Sequence, residues 1–499
     1  MAAKGCIINL LRSRRARIAA LCLGAALLAA AAYLLFRPAE APLPSSPQPP
    51  EGLTAYDVTI RLMPQTREIA VTEKITFRND TGDGLRDLVL RTWLNAYQSE
   101  ETSPAAADEL YEACYPEGFY PGGLTLYDVT WQGEKAAYAF DDAARTVLRL
   151  AVPEIRAGET GELILRCTGQ IPVCAHRAGV MGEVWQLGNV IPQLPLYQDH
   201  AWRTDAYAPI GDPFVSPCAD YTVHLFLPED GYVPACSAPL EKGPDGGWHG
   251  SIRGARDIGL CVSPAYQTAE LRAGNTRILS YAQSAEGARR AAEYARKAVE
   301  TFSALYGAYP YPSLSVCAVD FPFGGMEYSG LVMIGEGYFL ESRRDDLELT
   351  VAHEAAHQWF YSLVGSDQVF SPWQDEALCQ WAVLRYVRAR YGQGSYETLK
   401  YYQVDAPMAE NIPGSLTPGS PIDYFGSLSD YSSVVYGRGA ALLAALDEML
   451  EGGADDFLRA YAASFAWRFA TREDFERFLN DYAGMDCSPL LLDYLDTAH

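Results

Sequence analysis

The feature that most restricts the fold is a change, part-way along the chain, in the spacing of apolar residues. The stretches YDVTIRLMP, REIAVTEKITFRN, DLVLRTWLN, TVLRLAV, ELILRCTGQI and DYTVHLFLPED alternate apolar with polar residues, and Asn-Asp and Asp-Gly turn signals punctuate them. A period of two places every second side chain on one face of a strand, so residues 53–265 read as an all-β domain of two packed sheets. Near residue 284 the period changes. The run SAEGARRAAEYARKAVETFSALYG has apolar residues every three or four positions and stops at Gly307, as an amphipathic helix does. Two strand-like runs, LSVCAVDF and LVMIGEGYF, flank the glycine-rich turn FGGMEYSG; beyond them the pattern is helical as far as LLDYL. Residues 266–499 therefore read as an α+β domain.

Ahead of both lies a segment of another kind. Lys4, Arg12, Arg14, Arg15 and Arg17 precede an unbroken apolar run, Ile18–Phe36, and no acidic residue occurs before Glu40. As a helix rising about 1.5 Å per residue, that run matches the hydrocarbon thickness of a bilayer. A cleaved signal peptide with its small-residue site at Ala29–Ala32 is one reading. The run, however, continues through Tyr33–Phe36 to Arg37, which favours a retained signal anchor. Residues 1–17 are then a cytoplasmic basic segment and 18–36 a single transmembrane span in the lipid bilayer of the cell membrane. By the charge asymmetry, everything after the span is extracytoplasmic. Residues 37–52, RPAEAPLPSSPQPPEG, form a proline-rich, extended linker.

Composition removes some functions. Hydrophobic residues make up 49% and charged residues 20% of 499, enough for ordinary cores, and the net charge of −24 argues against a nucleic-acid partner. Eleven cysteines are present without a CxxC pair, so a cysteine zinc site is not expected. Disulfides are permitted outside the cytoplasm; the odd count leaves at least one thiol free, and Cys167–Cys174 and Cys218–Cys236 are guesses at a pairing the sequence does not settle.

The chemistry concentrates in Val351–Phe360, VAHEAAHQWF. On a helix, residues four apart share a face, so His353 and His357 can present both imidazoles to one ion, with Glu354 beside them but not a ligand. Eighteen residues after His357 comes Glu376, in SPWQDEALCQWAVLRYVRARYG, a second helix with Ser371 as N-cap, Pro372 at its first position and Gly392 as its stop. Two nitrogens and one carboxylate oxygen leave a fourth position on zinc for water, the catalytic rather than the structural arrangement.

These residues resemble the aminopeptidase N family of gluzincin zinc metallopeptidases. Gly324-Gly325-Met326-Glu327-Tyr328 resembles that family's G-x-M-E-N exopeptidase motif. Tyr431 to Ala440, YSSVVYGRGA, is similar to its Y-E-K-G-A segment, which supplies a catalytic tyrosine, here Tyr436. The resemblance implies a saddle-like β sandwich followed by a thermolysin-like domain, in a short member lacking the family's C-terminal helical domain. It implies one zinc per chain on His353, His357 and Glu376, with Glu354 and Tyr436 catalytic. Glu327 would bind the free N-terminus of a peptide, with Gly324, Gly325 and Met326 around it; Met326 reads more as packing than chemistry, and Tyr431 as either cleft wall or packing. Three positions depart from the family. Tyr328 replaces asparagine, with an altered first side-chain pocket as the expectation; Ala377 replaces glycine; Gly437-Arg438 replaces Glu-Lys. The expected function is a membrane-anchored zinc aminopeptidase. An endopeptidase on the same scaffold, a hydrolase of a small non-peptide substrate and a non-catalytic surface binding protein are the alternatives.

Overall fold

The computed structural model describes residues 47–497, apart from 107, 108, 229, 230, 411, 413 and 414. The basic segment 1–17, the anchor 18–36 and residues 37–46 of the linker lie outside the described residues. Among the described residues no helix is long and apolar enough to cross a membrane.

The period-two stretches build an eight-stranded sheet in the order Glu241–Lys242, Trp248–Ala255, Ala219–Phe226, Ala55–Met63, Glu68–Arg78, Thr160–Gln170, Gly123–Trp131, Glu134–Lys135. Its one parallel pair sets Ala55–Met63 beside Ala219–Phe226. Tyr56, Val58, Ile60 and Leu62 point into the core from one strand, and Ile69, Val71, Ile75 and Phe77 from the next, as the alternation requires. Glu73 shares that inward row without a hydrogen-bond partner, and burial pushes its carboxyl far above the usual range.

Where the sequence leads one to expect two sheets, the strands divide among more. Leu85–Arg91, Val147–Ile155 and Tyr138–Phe140 form a three-stranded sheet, and Val233–Cys236, Gly259–Ser263, Val184–Gly188 and Ala178–Met181 a four-stranded one. The four-stranded sheet escapes an alternation search because it is covered on both faces. Every residue of Val184–Gly188 and Gly259–Ser263 is buried, and one side packs on Ser313–Val319 and Leu331–Gly335. A separate apolar cluster forms there, with Trp93, Val184, Phe214 and Cys261 from the first part meeting Cys317, Val319, Met326, Tyr328, Leu331 and Met333 from the second.

The second part opens with a five-stranded sheet, ordered Gln267–Ala273, Thr276–Ala282, Ser313–Val319, Leu331–Gly335, Gly325–Tyr328. The segment Gly325–Tyr328, read from sequence as a turn, is its antiparallel edge strand, with Gly325 opposite Ile334 and Tyr328 opposite Leu331. The helix Ala285–Tyr306 joins two parallel strands; Ser284 caps it by accepting from the Gly287 N–H, and Gly307 ends it at φ +106°. Its buried stripe of Ala288, Ala292, Ala295, Val299, Phe302 and Tyr306 follows the helical spacing. None of the nine described cysteines is paired, so Cys167–Cys174 and Cys218–Cys236 are not bonded. Cys167 packs near Glu73, Cys174 near Cys114 and Tyr115, and Cys236 near Cys261 and Cys317, each filling the core as a small hydrophobe.

Candidate metal centre

The helix Arg344–Ala356 carries His353 and Glu354. His357 is the first residue past its end, still in the right-handed region at φ −60° and ψ −14°, so the four-residue spacing keeps both imidazoles on one face. Asp345 and Asp346 occupy the first turn, where their charge suits the helix dipole, without a side-chain cap. The second helix, Trp373–Tyr391, starts one residue later than the sequence suggests, after Pro372, and stops at Gly392, φ +83°. The connection between them is tied down where Val364–Gly365 pairs with Arg468–Phe469. Glu376, in the first turn of the second helix, thereby meets the histidine pair.

The two Nε2 atoms are 3.1 Å apart, and Glu376 Oε2 lies 3.1 Å from that of His353 and 3.4 Å from that of His357. A triangle of this size is what three donors about 2 Å from one ion span, so the donor set fits zinc. The other nitrogen of His357 is taken: Nδ1 is 2.5 Å from Asp375 Oδ1 and 3.2 Å from the Phe360 carbonyl. Asp375 thus fixes ring orientation and leaves Nε2 free for the metal. Burial pushes the Asp375 carboxyl up to about 6, with His357 working in the opposite direction. Glu376 is also buried, but hydrogen bonds from both histidines hold its carboxyl well below the usual range.

Glu354 is 5% exposed, and burial raises its carboxyl to about 8, the poise of a group that exchanges protons near neutrality. Gly325 explains its freedom to sit there: a Cβ at this position would come within 2.5 Å of Glu354 Oε1. Gly324 is under no such demand, its nearest side-chain neighbour being Thr350 at 3.5 Å from a built Cβ. Tyr436 stacks on His353, centroids 5.4 Å apart at 22°, and Tyr431 meets Tyr436 edge-on while packing against Phe425. Both tyrosines, with Gly324, Gly325, His353 and Glu354, line a cavity of about 290 Å³. Tyr431 is therefore wall and packing at once.

Glu327 is 3% exposed, and one donor atom each of Glu327, Glu354 and His357 lies within 4.8 Å of the others. Met326 faces away into the cluster between the two parts of the chain, where Arg177 Nε donates to its sulfur at 3.1 Å. Tyr328 is also turned away. Fully buried, it packs against Gly188 and Gly259, positions where a Cβ would collide with its ring, and it does not line the cavity. Ala377 uses the room that Gly439 leaves, and Arg438 donates to the carbonyls of Pro407 and Glu410 rather than facing the metal site.

Sequence reasoning missed Asp375, although it adjoins Glu376, and it missed the β part's contribution. Arg177 and Asp212, an ion pair at 2.5 Å, line the same cavity from the first part of the chain.

Comparison with known proteins matches residues 290–494 to the peptidase family M1 domain. Aminopeptidase M1-B of Oryza sativa subsp. japonica is 29% identical over 221 residues, 40% of this chain and 24% of that protein. Aminopeptidase N of Lactobacillus delbrueckii subsp. lactis is 23% identical over 357 residues, 66% of this chain and 40% of its own length. The chain thus spans between about a quarter and two fifths of these relatives. Among solved structures, the M1 zinc metallopeptidase from Deinococcus radiodurans aligns over 90% of this chain and 94% of its own, with TM-score 0.62 and 16% identity. Native yeast LTA4 hydrolase aligns over 90% and 68%, with TM-score 0.62 and 15% identity. At these identities the structural likeness concerns the fold.

Proposed function

We propose that this chain, which belongs to the aminopeptidase N family of gluzincins, is a membrane-anchored aminopeptidase that removes N-terminal residues from peptides outside the cytoplasm. The observation that carries the reading is the place of Glu327, a buried carboxylate beside Glu354 and the metal-facing His357. A carboxylate there pairs with a free α-ammonium, and a peptide so held has its first peptide bond next to Glu354. When bound by His353, His357 and Glu376, zinc supplies a Lewis acid that polarises the scissile carbonyl and acidifies the attacking water. Glu354 takes the proton of that water and hands it to the leaving amine. The Tyr436 hydroxyl donates to the carbonyl oxygen as it gains negative charge. Gly324 and Gly325 let the substrate backbone approach closely, and Tyr431 walls the cleft.

The ectodomain is expected to hydrolyse aminoacyl chromogenic amides, to stop on chelation and to resume with added zinc. Glu327→Ala removes one partner of a buried charge pair, worth about 2 kcal/mol or more, so kcat/KM for free-amine substrates should drop roughly 30-fold or further. Hydrolysis confined to N-terminally blocked peptides would replace this reading with an endopeptidase. Anchoring rests on the basic-flanked run 18–36. The full chain should resist alkaline extraction from membranes, and a chain starting at residue 47 should be released; equal release of both removes the anchor.

A further inference from the structure

Gln368 lies on the connection between the two metal-binding helices, 2% exposed, and is not among the residues lining the cavity described above. Its Nε2 donates to Asp375 Oδ2 through a short bond and to Glu327 Oε1 at 3.4 Å, while its Oε1 has no partner. The orientation of the amide follows from the chemistry around it. Turned over, it would set a carbonyl oxygen against two carboxylates; as placed, its two N–H groups serve one each. Asp375 Oδ1 in turn holds His357 Nδ1. A continuous chain of hydrogen bonds therefore runs from Glu327 through Gln368 and Asp375 to His357.

The carboxylates need such a donor. Glu327 and Asp375 are both buried, and Gln368 places a neutral N–H on each of them. The neighbouring residue fixes the position of the amide. Asp367 accepts from both terminal nitrogens of Arg203, at 2.8 and 3.1 Å, and from the backbone N–H groups of Val369 and Phe370, so the connection is pinned to the first part of the chain.

We infer that Gln368 is a positioning residue that sets the amine-binding carboxylate and the zinc-orienting carboxylate together, touching neither substrate nor metal. The arm to Glu327 is long, at 3.4 Å, so the effect on substrate is the smaller of the two. The substrate half of this inference rests on the aminopeptidase reading; the zinc half does not.

The test is a pair of double-mutant cycles on the full ectodomain. Gln368→Met removes both N–H groups at similar size and should weaken zinc about tenfold or more in competition with a chromogenic chelator. At saturating zinc it should raise KM for aminoacyl amides several-fold, with kcat changed less. In an Asp375→Asn background the zinc step should shrink towards nothing, and in a Glu327→Gln background the KM step should do the same. Steps that persist undiminished in both backgrounds make Gln368 mere filling and overturn the inference. If Gln368→Met does not fold, Gln368→Asn, too short to span both acids, goes through the same cycles with the same expectations. A wild-type ectodomain that ignores free-amine substrates defeats the functional reading, and the zinc cycle then decides the inference alone.

Discussion

Glu354→Gln is expected to lower kcat by about 10²–10⁴-fold while the ectodomain keeps one zinc per chain. The amide has the volume of the carboxylate, so it fits the space that Gly325 leaves, and the metal donors on His353, His357 and Glu376 are untouched. What disappears is a group able to accept a proton from water and return it to the leaving amine. Metal analysis and steady-state kinetics on one preparation separate this from a folding defect. Turnover at the wild-type rate would mean that the chemistry occurs elsewhere.

Tyr436→Phe should cost about 10²–10³ in kcat, roughly 3–4 kcal/mol, with KM little changed. Phenylalanine retains the ring that stacks on His353 and meets Tyr431, so the substitution removes a hydroxyl and little packing. Burial beside Glu376 raises the phenol far above its usual range, which keeps the proton on the oxygen and the group a donor at any working pH. A variant with raised KM and unaltered kcat would make Tyr436 a wall of the cleft instead of a participant.

The chemistry was more legible in the sequence than its supports, and the reason is physical. His353 and His357 share a face through their four-residue spacing, Glu376 sits in the first turn of a helix that stops at a glycine, and the three donors lie within 3.4 Å of one another. Gly325–Tyr328 was read as a turn because glycines mark turns, yet here glycine is demanded by the carboxylate of Glu354 lying across an edge strand. Gln368 and Glu327 stand 41 residues apart, and nothing in either stretch signals the other. The same holds for Arg177 and Asp212, which reach the cavity from the β part. Tyr328 was misjudged for a related reason. Alternation puts it opposite Glu327, on the face that packs against Gly188 and Gly259, and only those distant glycines reveal the space it fills.

The four-stranded sheet described above belongs equally to both of its neighbours. Its far side is shared with the strand that carries Glu327, since Met326 and Tyr328 sit in the same apolar cluster as Trp93, Phe214 and Cys261. Cutting the chain near residue 265 would wet both halves of that cluster, and the reverse of the edge strand would lose its backing. The two parts are therefore expected to unfold in one transition rather than two.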